Sequence, residues 1–473
     1  MQFKKTLLAT SALMSAMAWA PQAHAIPAFA RQVGMPCSAC HYQHFPTLNA
    51  FGRSFKAAGF TMVGSEEKIE STDGAGLSIP AVLNLAFVTN LAYTKTNGPS
   101  TANPNGGVNN AGNASSAINK GTNNGQFTMT QYSLFMGGRV SENIGFEGEL
   151  GFAPATAGAG LASVKLPFSY DVGGGKLDII PFTTSGLGAA QGFEALDTGA
   201  SAVHLFNQQD MNAISAQQYM NTASPAYGAA LVYYQDMGYA NFTRWSPNTI
   251  SGHGNAPAGV AGSSSAGAPT SNYLRLAWTP GNLIPGFDTG VGAQFWRGRS
   301  AVTGIDTAPN GGTILGGVYN TDATAVDAQM LGDVGGMPLT FIASYAQAPS
   351  TQGGAITAGL GNAGYVANTN YFNQGTATRK SFNVGAELGV IPNKATLQVG
   401  VRRADAGVAV NGSTNATDNA VMLGATYSLA LNVRAELTYS MYSGDMYSVA
   451  AQQAAGNAYT GDRLLTLNLW MGF

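Results

Sequence analysis

Residues 432–442 read NVRAELTYSMY, and they alternate without a break. Val433, Ala435, Leu437, Tyr439 and Met441 fall on one side, and Arg434, Glu436, Thr438 and Ser440 on the other. A period of two places each set on one face of a β-strand. The same alternation runs through NIGFEGELGFA (143–153) and ATLQVGVR (395–402), and recurs from about Leu77 to Phe473. The chain ends on such a segment, RLLTLNLWMGF (463–473), with Leu465, Leu467, Leu469, Met471 and Phe473 on one face. A terminal aromatic there resembles the assembly signal of outer-membrane proteins.

Alternation alone also suits a soluble β-sandwich. The spacing of the turns separates the two. Strands pair through short turns at 141–143, 171–175, 235–237, 281–286, 332–336, 389–393 and 428–431. Between those pairs lie long polar segments, at 96–125, 185–226, 247–271, 299–323 and 348–377. Short turns at one end and long loops at the other form the outer-membrane pattern. Composition agrees: only 10% of residues are charged and 62 are glycine, against about 25% charged in soluble domains. A net charge of −2 gives no reason to expect a nucleic-acid partner. Past residue 25 no run of 18 apolar residues occurs, so strands must do the spanning. The expected fold is an all-β transmembrane barrel of about 16 antiparallel strands, over 73–473, in contact with outer-membrane lipid. Glu147, Glu149, Glu387, Arg402, Arg434 and Glu436 should face its lumen, and Tyr233, Tyr234, Tyr239, Trp245, Trp278 and Trp296 lie where an interfacial girdle is expected.

Residues 1–25, MQFKKTLLATSALMSAMAWAPQAHA, carry Lys4 and Lys5, an apolar run from Leu7 to Ala20 and a small-x-small end at Ala25. This is the pattern of a cleaved signal peptide. Next comes GMPCSACHYQHFP (34–46), which holds the chain's only two cysteines. C-x-x-C-H in an exported protein reads as covalent attachment of one haem c. Cys37 and Cys40 would bind the two vinyl groups, and His41 would be the proximal iron ligand. A thioredoxin-like pair would need a βαβ context, and a zinc site further ligands; a plain disulfide is the third rival. Downstream, Leu48, Phe51 and Phe55 form a helical stripe starting near Pro46 and stopping at Gly59, apolar enough to cover a haem face. Met62 is the candidate sixth ligand, with His44 and Met35 as alternatives. Arg53 and Lys56 are either propionate partners or solvated. A cytochrome domain over 26–72 is thus expected, placed inside the lumen or at its periplasmic side.

The stretch FARQVGMPCSACHYQHFPTLNAFGRSFKAAGFT (29–61), followed by a barrel, resembles the fused monohaem cytochrome–porins of the bacterial outer membrane. The resemblance is specific over 29–61 and only architectural beyond. It implies oxidation of extracellular Fe(II) and transfer of the electron to a periplasmic cytochrome c. The residues themselves leave open a diffusion porin with an accessory haem domain, and an outward conduit to extracellular acceptors.

Overall fold

The computed structural model describes residues 27–64, 68–71, 76, 78–81, 84–97, 125–153, 158–201, 215–247, 269–302, 306–307, 313–314, 317–350, 370–373, 375–410, 412–448 and 462–473. The signal-peptide segment, most of the long loops expected at 96–125, 247–271 and 348–377, and the loop histidines His204 and His253 lie outside them.

Sixteen antiparallel strands close into one barrel. They are β1 (Leu85–Thr96), β2 (Gln126–Ser141), β3 (Ile144–Ala153), β4 (Gly158–Lys165 continuing as Phe168–Val172), β5 (Gly175–Thr184), β6 (Ala226–Gln235), β7 (Gly238–Pro247) and β8 (Ser271–Ile284). The second half is β9 (Phe287–Arg297), β10 (Ala323–Val334), β11 (Met337–Ala348), β12 (Arg379–Ile391), β13 (Ala395–Asp405), β14 (Asn419–Ala430), β15 (Val433–Ser443) and β16 (Arg463–Gly472). Each strand pairs with the next, and β16 closes on β1, with Leu467 opposite Tyr93. Pro167 interrupts β4, as expected of a residue that cannot donate to the ladder. Ser78–Pro80 pairs with Lys68–Glu70 in a separate hairpin, so the barrel begins at Leu85 rather than near Leu77.

Burial runs opposite to that of a soluble sandwich. On β15, Arg434, Glu436, Thr438 and Ser440 are at most 3% exposed, whereas Leu437 and Tyr439 are 45% and 38% exposed. The same inversion exposes Leu231, Phe242, Leu276, Val326, Phe382 and Leu397. An apolar outer belt around a polar interior is the transmembrane β-barrel arrangement, and the chain is built as an outer-membrane type of barrel.

All the expected short turns are present as two- or three-residue links, for example Gly335–Gly336 between β10 and β11. Glu387, Arg402, Arg434 and Glu436 are buried in the lumen wall, as expected. The aromatic girdle needs correction. Only Tyr233 and Trp278 lie on the outward set of their strands; Tyr234, Tyr239, Trp245 and Trp296 are 1–6% exposed and face inward. Alternation explains this: a residue's face is set by its parity along the strand, which nearness to a strand end does not reveal.

The connection between β5 and β6 is the unexpected element. Residues 188–200 are all buried, as are Ser215–Thr222 with their short helix α3 (Ala216–Tyr219). This loop folds into the barrel. The Ala216 amide donates to Asn383 Oδ1 (2.8 Å), and Tyr219 donates to Asp418 Oδ2 (3.0 Å) between the guanidiniums of Arg379 and Arg402.

Candidate functional site

The segment 27–64 contains two short helices, α1 (Pro27–Val33) and α2 (Ala50–Ala57), with a single 3-10 turn at Cys37–Ala39 between them. (The barrel loop's α3 follows later in the chain.) α2 starts at Asn49, whose side chain accepts from the Gly52 amide (2.9 Å) as an N-cap. It stops at Gly59, which has φ +62°. The helix therefore begins four residues after Pro46, and Leu48 stands before it. Phe29, Val33, Phe55 and Phe60 make a small apolar core, with Phe29 and Phe60 stacked at 4.7 Å. Gly52 lets α2 lie against the cysteine motif: a Cβ there would stand 2.2 Å from the Cys40 carbonyl oxygen.

The segment sits against the inner wall at the short-turn end of the barrel. Arg53 binds Asp288 through two hydrogen bonds (2.7 and 3.0 Å), next to the β8–β9 turn. His44 Nε2 donates to Glu387 Oε1 (2.6 Å), and Arg434 donates to the Phe45 carbonyl (3.0 Å). Tyr42 donates to the Gly332 carbonyl. On β3, Gly145 leaves room for the Gly59 carbonyl, which a Cβ would meet at 1.7 Å. The inward loop comes down to the same place, where Thr47 donates to Asp197 Oδ2 (2.6 Å).

Between segment, wall and inward loop lies a cavity of about 280 Å³, counted as space open to the centre of a water molecule. Cys37, Cys40 and His41 all line it. Its apolar lining comes from three sources: Phe29, Phe55 and Phe60 of the segment, Leu196 of the inward loop, and Val88 and Trp470 of the barrel. Cys37 and Cys40 are not bonded to each other. Burial raises the Cys40 thiol pKa. His41 Nδ1 lies 3.2 Å from the Pro46 carbonyl, which can only accept, so Nδ1 carries the proton and Nε2 keeps its lone pair. Burial pushes the His41 pKa down to about 4, which keeps the ring neutral. Lys56 also lines the cavity; burial, helped by the charge of nearby Lys165, lowers it to about 8.

The structure thus brings Cys37, Cys40 and His41 together. It does not bring Met62 to the cavity: that side chain is 38% exposed and absent from the wall, while Met35 is part of the wall. His44 is engaged by Glu387. Of the two cations, Arg53 is taken by Asp288 and Lys56 faces the cavity. The sequence reading missed Asn49, Thr47, Trp470 and the whole inward loop. An Asn just before an apolar helical stripe was a legible cap signal. Nothing in the composition of 185–226 marked it as buried. Among the described residues, no group of three or more His, Cys, Asp or Glu is placed to hold a metal ion.

No protein-family model and no curated protein matches the sequence. Similar solved structures include the outer-membrane channel DcaP of Acinetobacter baumannii (13% identity, TM-score 0.46, covering 86% of this chain and 99% of that one). They also include OmpF of Salmonella typhi in complex with daunomycin (14%, 0.46, covering 86% and 100%), and OmpT of Vibrio cholerae (11%, 0.43, covering 86% and 100%). Each is a distant likeness of fold and carries no argument about function.

Proposed function

We propose that the chain is an outer-membrane electron-transfer protein whose N-terminal segment is a monohaem cytochrome c domain plugging the barrel lumen. The observation that carries this reading is the convergence of Cys37, Cys40 and a neutral His41 on one largely apolar cavity. Cys37 and Cys40 would hold a haem c through two thioethers. His41 would ligate the iron through Nε2, oriented by its Nδ1–H bond to Pro46. A haem so bound would supply one-electron storage between the two sides of the membrane. The chain's own part is to exclude bulk water with Phe55, Leu196 and Trp470, and to place Lys56 opposite an anionic group. Of the sixth-ligand candidates, Met35 lines the cavity and Met62 does not. The identity of the donor, extracellular Fe(II), and of the acceptor, a periplasmic cytochrome c, rests on the resemblance of residues 29–61. The test is stopped-flow mixing of the oxidised protein with anaerobic Fe(II) near neutral pH. The reading requires rapid appearance of reduced haem c bands, absent in Cys40→Ala. Haem that dithionite reduces but Fe(II) does not would remove iron as the donor. Absence of haem would remove the cytochrome.

A second reading, a diffusion porin with an accessory haem domain, is favoured by the closed sixteen-strand barrel itself. The two differ in conductance. A plugged lumen passes little current in a planar bilayer, and an open porin passes a large, stable one.

A further inference from the structure

The outer face of the barrel carries one patch of cations that no described carboxylate pairs. At the long-loop end of β7, β8 and β9, Arg244 stands opposite Asn272, and Asn272 opposite Arg297, in a single row across the three strands. Parity turns all three outward, because their neighbours Thr243, Ser271 and Trp296 are buried on the lumen side. Arg299 follows just past β9. It is exposed, whereas Ser300 beside it is buried and hydrogen-bonds to Ser271 (2.7 Å). Arg244 donates to Asn272 Oδ1 (2.7 Å), which holds one guanidinium along the row. Among the described residues none of the three arginines is in an ion pair. Along the sheet the carboxylate nearest this row is Asp322, one residue beyond the Trp296–Ala323 pair, and it makes no ion pair with them. Elsewhere on this rim outward cations meet acids: Lys380 binds Asp405 (3.0 Å) and Arg463 binds Asp462 (2.8 Å). Arg403 and Lys95 stand beside those two pairs.

Exposed arginines are ordinary on a soluble protein. These stand at the edge of a membrane. Directly below the row, Phe242 is opposite Leu274 and Leu274 opposite Phe295, all facing outward in the apolar belt. The step between the two rows is about 7 Å of strand, so the guanidiniums lie at headgroup level, where acyl chains end. Arg244 and Arg297 are two strand spacings apart, about 10 Å, and their side chains can close on one phosphate from both sides. A guanidinium fork matches phosphate oxygens with paired hydrogen bonds. A phosphate-bearing lipid therefore satisfies both rows at once, with its headgroup on the arginines and its chains on Phe242, Leu274 and Phe295. The feet of the same strands offer no counterpart: Gln235, Met237 and Trp278 are uncharged, and the turn between β6 and β7 carries Asp236. Long loops mark the extracellular end of such a barrel, which places the patch in the outer leaflet.

We propose that Arg244, Arg297 and Arg299 form a docking patch for the phosphate-bearing headgroup of an outer-leaflet lipid. The patch lies on the outer face of the barrel and is independent of haem, iron and the contents of the lumen. The test uses the full chain purified in detergent, with binding read by native mass spectrometry. The probes are lipid A, a phosphorylated glycolipid, its dephosphorylated form, and inorganic phosphate as a competitor. The variants are Arg244→Gln, Arg297→Gln and the triple substitution of Arg244, Arg297 and Arg299 by Gln. Lys380→Gln is the control, a rim cation that already has its carboxylate. Heat-modified gel mobility shows that each barrel is folded. Each arginine should contribute about fivefold in affinity for lipid A. The triple variant should lose roughly a hundredfold, the control nothing, and wild type should bind the dephosphorylated lipid as weakly as the triple variant does. A triple variant that binds lipid A like wild type would overturn the patch. Equal binding of the two lipids would overturn phosphate recognition. Displacement of lipid A by submillimolar inorganic phosphate would make a soluble anion the ligand and overturn the lipid. The single variants keep the test decisive if the triple one does not assemble.

Discussion

The two sides of the lumen carry similar side chains and use them differently. On the wall from β7 to β12, Arg275 donates to both oxygens of Asp327 (2.6 and 2.9 Å) and pairs with Glu194 of the inward loop (3.1 Å). Gln294 donates to Asp327 (2.6 Å), Asn241 donates to the Phe193 carbonyl (2.9 Å), and Gln329 accepts from the Asp197 amide (2.6 Å). On the wall from β15 to β2, Thr466, Asn468 and Thr94 find no such partners among the described residues. Inward polar side chains stand on both walls. Whether they become a rigid network depends on what else enters the lumen, and the described part of the β5–β6 loop hydrogen-bonds to the first of these walls.

That contrast can be broken by substitution. The largest effect should come from Arg275→Met. It would strand Asp327 and Glu194 without their cation, and breaking a buried pair from one side costs about 3–5 kcal/mol. Urea unfolding from lipid vesicles, followed by gel mobility, reads this loss; a variant as stable as wild type would mean the loop is not held by the network. Next is Leu437→Arg, on the lipid face of β15, expected to cost about 2–4 kcal/mol near the bilayer midplane. The same assay checks it, and a neutral result would contradict the assignment of faces. Thr47→Val removes the donor to Asp197 where segment and loop meet, and a hydrogen bond to a charged group is worth about 1.5–3 kcal/mol. Limited proteolysis between residues 27 and 64 should accelerate with it. Smallest is Thr466→Val. Its hydroxyl has no partner among the described residues, so the change should stay within about 0.5 kcal/mol. A loss as large as that of Thr47→Val would show that the two walls are built alike.

Much of the barrel was legible because its information is local. Period two, two-residue turns and long loops at one end all survive in a one-dimensional reading, and they account for the strand count and for the inward set of Glu387, Arg402, Arg434 and Glu436. The cysteine motif was legible for the same reason: three residues within five positions specify their own neighbourhood. The misreadings are the non-local ones. Trp245 and Trp296 were placed at the membrane interface because they lie near strand ends, but their parity turns them inward to Phe372. Pro46 suggested a helix start, but the Asn49 cap, which satisfies an otherwise orphaned amide, decides it. Arg53 and Lys56 looked equivalent on paper; only the position of Asp288, 235 residues away, distinguishes them.

By itself, then, the sequence determined a barrel, its inside and outside, and a C-x-x-C-H motif that comes before it. Those follow from backbone periodicity and from neighbours along the chain. The tertiary structure alone decided that the segment carrying the motif lies against the short-turn end of the lumen. It alone decided that a polar loop folds inward to complete the cavity. Those outcomes depend on contacts between residues one hundred to four hundred positions apart, such as Thr47 with Asp197 and Arg434 with Phe45. Such contacts form only once the barrel has closed and brought its wall around them.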